Sequence, residues 1–118
     1  QAAVEKAVQA QVDMLNSPWY KFFITYDPAP ALSKVRVPVL ALFGGKDVQV
    51  AAAPNEQAIK AALAQGGNTQ VTAKVYPDAN HLFQPATTGG VDEYAKLKTF
   101  VPGLLDDMVG WIKETIKG

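Results

Sequence analysis

The sequence has no cysteine and one histidine, His81, in 118 residues. The missing cysteines remove disulfides, thiolate metal sites and a cysteine nucleophile from this chain. One histidine, even with Asp78 three residues before it, is too few ligands for a zinc site. Charge of one sign is also lacking: 11 lysines and arginines balance 11 aspartates and glutamates, with no block of like charge. Nucleic acid and anionic membrane therefore have no electrostatic footprint to meet. No apolar run approaches the roughly 20 residues that span a bilayer, and no signal-peptide pattern is present. The chain opens on Gln1, not methionine, which reads as an internal or processed start and leaves the compartment open. Serine is scarce: Ser17 and Ser33 are the only two, and neither has glycines two before and two after it.

What is present is an alternation of strand and helix patterns. Residues 37–43 are apolar on both faces, as in a parallel strand buried on two sides, and they end at Gly44-Gly45-Lys46-Asp47. Residues 51–64 read as a helix, with Pro54 in its first turn, an inner stripe of Ala58, Ile59, Ala62 and Leu63, and Gly66-Gly67 as its stop. Val71–Tyr76 alternates with period two and predicts a second strand. A long helical connection makes the two strands parallel neighbours. Upstream, Val4, Val8, Val12 and Leu15 mark a helix over 2–15. Trp19 to Ile24 is an aromatic run, short helix or irregular wall, read as core or interface in preference to a pocket lining. Asp27-Pro28-Ala29-Pro30 is a break, and 31–35 can hold one helical turn. Downstream, 85–90 is a loop and 92–100 a short helix. Residues 104–117 form an amphipathic helix with Leu104, Leu105, Met108, Val109, Ile112 and Ile116 inward and Trp111 at the stripe's edge.

Two residues stand where chemistry is done. In an open parallel sheet, ligands meet the carboxyl ends of the strands. Asp47 comes after the first strand and His81 after the second, so the topology brings both to one end. A carboxylate there can hold one imidazole nitrogen while the other faces a reacting group. Each also has a plain reading: Asp47 as a turn aspartate bonding its own backbone, His81 as a loop residue. Gly44-Gly45-Lys46 lacks the spacing of a phosphate-binding loop.

From Tyr26-Asp27-Pro28 through Val39-Leu40-Ala41-Leu42-Phe43-Gly44-Gly45-Lys46-Asp47, the chain resembles the return from cap to core of an α/β-hydrolase. In that family a strand ending in Gly-x-x-Asp supplies the triad acid, and a Pro-x-x-x-His turn after the next strand supplies the histidine. Pro77-Asp78-Ala79-Asn80-His81 fits the second pattern. Leu82-Phe83-Gln84 and the closing helix resemble the family's C-terminal end. The resemblance covers nearly the whole chain, is to bacterial esterase- and peptidase-like members, and implies Asp47 as acid and His81 as base. The chain order of acid before histidine agrees. The family's Gly-x-Ser-x-Gly elbow and its oxyanion-hole strand have no counterpart here.

The expected fold is therefore the C-terminal part of an α/β-hydrolase, two parallel strands with flanking helices. Residues 1–35 would be a cap-return helix and aromatic segment, and 36–118 the core portion. The expected function is the acid-and-histidine end of a serine hydrolase acting on small ester or amide substrates, with no cofactor and no metal. The alternative is an inactive α/β domain whose main property is self-association. A strand that lacks its sheet neighbour leaves an open edge, so a homo-oligomer, most simply a dimer, is expected through 37–43 or the apolar N-terminal segment.

Overall fold

The computed structural model describes residues 1–96 and 98–117. Its elements in order are α1 (Ala2–Asn16), α2 (Pro18–Thr25), α3 (Ala29–Leu32), β1 (Val39–Gly44), α4 (Ala52–Gln65), β2 (Val71–Tyr76), a 3₁₀ turn (Val91–Glu93) and α5 (Leu104–Thr115). The two strands pair in parallel, from Val39 opposite Val71 to Gly44 opposite Tyr76. This is α/β architecture, the partial α/β-hydrolase fold expected. β1 starts two residues later than its apolar run because Pro38 has no N–H to give. The ladder opens where the Val39 N–H donates to the Gln70 carbonyl (2.9 Å).

Helix α4 packs on both strands and on α3. It is anchored by buried Ala62 and Leu63, while Ala58, expected on the inner stripe, is exposed. The buried Asn68 joins the helix end to the approach to β1. Its N–H donates to the Leu63 carbonyl, and its side-chain amide donates to the carbonyls of Val35 and Val37. One residue, through its backbone N–H and its side chain, thus satisfies carbonyls on two segments that meet without a ladder between them.

Helix α5 lies on the other side of β2. Trp111 Nε1 donates to Thr72 Oγ1 (3.2 Å), and Asp107 pairs with Lys74 and accepts from the Tyr76 hydroxyl. Burial, and then the Asp107 carboxylate, push the Tyr76 phenol up to about 12, so it stays a proton donor. Around it lies the small core of Tyr76, Ala79, Val101 and Leu104, with Leu42 and Phe83 against it. The acids Asp106 and Asp107 stand in the first turn of α5 and Lys113 in the last, as the helix dipole favours.

Three expectations need correction. Of the inward stripe predicted for α5, only Leu104 is buried; Leu105, Met108, Val109, Ile112 and Ile116 are exposed. The aromatic run forms helix α2 but is not core, since Trp19 is 66% exposed and Phe22, Phe23, Ile24 and Tyr26 are similarly open. Residues of α1 are likewise unburied. The cause is common to these helices: periodicity states which face wants cover, and no other element among the described residues buries it. The radius of gyration, 18.1 Å against roughly 13 Å for a compact chain of this length, reflects the uncovered helices. Finally, the helix predicted over 92–100 is reduced to the Val91–Glu93 turn. Leu97, within that stretch, lies outside the described residues. The Glu93 carboxylate turns back to accept from the N–H groups of Thr87 and Thr88 and from the Thr88 hydroxyl, which fixes the preceding loop instead.

Candidate active site

The site forms where two turns leave the same end of the parallel pair. After β1 the chain folds over Gly44-Gly45-Lys46-Asp47, closed by the Asp47 N–H donating to the Gly44 carbonyl (3.2 Å). After β2 it runs through Pro77 to His81. Gly44 and Gly45 are needed for proximity here, not for an unusual dihedral. A Cβ on Gly44 would lie 2.6 Å from the carbonyl oxygens of both Ala79 and Asn80, and one on Gly45 2.6 Å from that of Pro77. The backbones touch, and the Gly45 N–H donates to Tyr76 and the Lys46 N–H to Ala79 (both 2.8 Å).

Within this contact His81 Nδ1 lies 2.9 Å from Asp47 Oδ2. The other oxygen, Oδ1, accepts the N–H groups of Gln49 (2.8 Å) and Val50 (2.9 Å). Asp47 thus holds its own turn with one oxygen and the imidazole with the other, so the plain reading and the chemical reading describe the same side chain. Its side chain is 9% exposed, against 40% for His81. Burial alone would raise the Asp47 carboxyl. The Val50 N–H, the His81 ring and the Gln49 N–H together outweigh it and hold the group below the ordinary carboxylate value. A carboxylate only accepts, so the neutral imidazole carries its proton on Nδ1 and presents the Nε2 lone pair. Beside the pair is a small cavity of about 220 Å³, with Leu42, Val50, Ile59 and Phe83 as apolar walls and Asn55 as a polar one.

Sequence reasoning did not pick out the residues that brace this arrangement. Lys46 Nζ pairs with Asp78 (2.9 Å) and donates to the Ala86 carbonyl (2.8 Å), joining both turns and the loop after them. Opposite charges at matching places after two parallel strands were the available signal. Asn80 is wholly buried and bonded within the histidine loop, and nothing in its neighbours' types announced that. The two serines are far from such a role in their bonding. Ser17 caps α2 by accepting from the Tyr20 N–H, and the Ser33 hydroxyl donates to the Pro30 carbonyl. Among the described residues no group of three or more histidines, acids or cysteines could hold a metal, and no helix is long and apolar enough to cross a membrane.

A two-stranded parallel core with flanking helices is consistent with a partial α/β-hydrolase fold, and an acid and a histidine stand on its adjoining strand-end turns. The dienelactone hydrolase family matches residues 2–114, nearly the full length, and the chain belongs to that family. Its class is therefore that of the α/β-hydrolase-type hydrolases. Comparison with curated proteins and with solved structures gave no match.

Proposed function

We propose that this chain carries the acid and the base of a hydrolase acting on small esters or amides, Asp47 as the acid and His81 as the base. The nucleophile, a serine in this reading, comes from residues outside the 118. The observation that carries the proposal is the 2.9 Å contact between His81 Nδ1 and Asp47 Oδ2, with the second carboxylate oxygen tied to two backbone N–H groups.

The contact supports a familiar proton path. Nε2 takes the proton of the attacking hydroxyl as its oxygen bonds to the substrate carbonyl carbon. The imidazolium that results is stabilised by Asp47 and returns the proton to the leaving alcohol or amine as the carbonyl re-forms. Water then repeats the sequence on the acyl intermediate. Residues 36–118 serve as the core portion in this reading and 1–35 as a return from a cap.

Labelling with a fluorophosphonate, which reacts with a base-activated serine, tests the assignment by intact mass. No adduct is expected on this chain alone. In a longer protein that supplies the nucleophile, one adduct is expected, lost in His81→Ala. An adduct on Ser17 or Ser33 of the isolated chain would overturn the external nucleophile, and labelling that survives His81→Ala would overturn the base.

One observation favours a second reading, self-association without turnover: among the described residues β1 pairs with β2 alone, and Leu105, Val109 and Ile112 of α5 are exposed. A dimer at about 100 μM in size exclusion with light scattering is its expected result, and a strict monomer removes it.

A further inference from the structure

We infer that Asn80 is the positioning residue that sets the His81 ring against Asp47. The ring needs such a device, because a side chain 40% exposed is not aimed by packing. Its direction must come from the path of the loop that carries it. That loop is drawn around the Asn80 side chain, which is 0% exposed. Asn80 Oδ1 accepts the N–H groups of Leu82 (2.9 Å) and Gln84 (3.0 Å), one on each side of the next turn. Its Nδ2 donates to Gln84 Oε1 (3.1 Å). Backbone bonds close the same ring of atoms, from the Asn80 N–H to the Gln84 carbonyl and from the Phe83 N–H to the Asn80 carbonyl, each 3.0 Å.

The bend this produces is costly on its own. Phe83 has φ of 56°, a left-handed conformation that a bulky side chain rarely takes. Such a residue persists only where its surroundings hold it. The bonds from Asn80 to Leu82 and Gln84 bracket Phe83, and its ring packs edge-on against Tyr76 at 6.1 Å. His81 is therefore carried at the start of a bent segment whose two sides are tied to one amide. The Lys46–Asp78 pair cannot do the same work, since Asp78 is largely exposed and the pair is open to screening by salt.

This inference rests on His81 as the base, but its readout is the ring and not turnover, so the two can fail separately. The experiment is ¹⁵N-edited NMR of the imidazole in the full chain at a pH where the ring is neutral. In the unaltered protein the Nδ1–H tautomer bonded to Asp47 is expected. In Asn80→Ala that proton signal should be lost and both tautomers should appear, with amide exchange at Leu82 and Gln84 at least about tenfold faster. A folded Asn80→Ala that keeps the unaltered tautomer and exchange overturns the inference. If Asn80→Ala does not fold, Asn80→Asp decides. It keeps the oxygen that accepts both N–H groups, so a retained Nδ1–H tautomer supports the role, and its loss in a folded Asn80→Asp overturns it.

Discussion

The strand-end turns and the helical faces are completed to very different degrees. Around Asp47, His81 and Asn80 nearly every polar group has a partner in this chain, and the backbones approach until only glycine fits. Along α1, α2 and the outer face of α5, apolar side chains stay exposed among the described residues, although rings of α2 stack on one another. Both regions come from strong sequence signals. The difference is that the turns complete themselves between two neighbouring strands, whereas an amphipathic helix specifies only its own half of a contact.

The largest expected effect is at the His81 ring. In a longer protein that supplies a nucleophile, His81→Ala should lower ester turnover by about 10⁴-fold or more with the circular dichroism unchanged. Wild-type turnover would remove His81 from the chemistry. A neighbouring pair on α5 measures the contrast in stability. Leu104→Ala, at a buried position, should cost about 3 kcal/mol in urea unfolding. Leu105→Ala, one residue on but exposed, should stay within about 0.5 kcal/mol. Equal costs would mean that α5 is covered in solution, by a second copy or otherwise.

Gly44→Ala tests the backbone contact. Its Cβ would meet two carbonyl oxygens at 2.6 Å, and the expected loss is roughly 2 kcal/mol together with the His81–Asp47 bond. An unchanged urea midpoint with the His81 ring still bonded would show that the two turns can part without cost. The smallest effect is on the acid limb of stability. The folded-state value of Asp47 is depressed below 3.8, so its contribution is fully present above the unfolded value and disappears as pH falls through the folded one. Urea midpoints should therefore drop below about pH 4, and less steeply in Asp47→Asn. An unchanged slope in that variant would assign the acid limb to other carboxylates.

Much of this was legible in advance. β2 shows its bounds through strict alternation, and β1 shows its existence through a double-sided apolar run and glycine stop, though Pro38 delays its start to Val39. Asp47 and His81 could be placed together because parallel topology alone delivers both turns to one end. Three things were hidden. A stripe on α5 looks the same whether or not anything covers it. A short helix over 92–100 competes with the Glu93 carboxylate, whose targets on the preceding loop are tertiary partners and not a local pattern. Asn80 reads as an ordinary turn former, and its role comes from burial, which the residue types of the loop do not encode.

Lys46 has a further consequence, for proteolysis. With its ammonium held by Asp78 and the Ala86 carbonyl, and its backbone beneath Gly89, it is a poor substrate for trypsin although it sits on a turn. Lys21, Lys34 and Arg36 lie on exposed ground before β1. Brief digestion should therefore trim the chain from its N-terminal side and leave a resistant piece that begins near Val37 and still holds the acid and the histidine together.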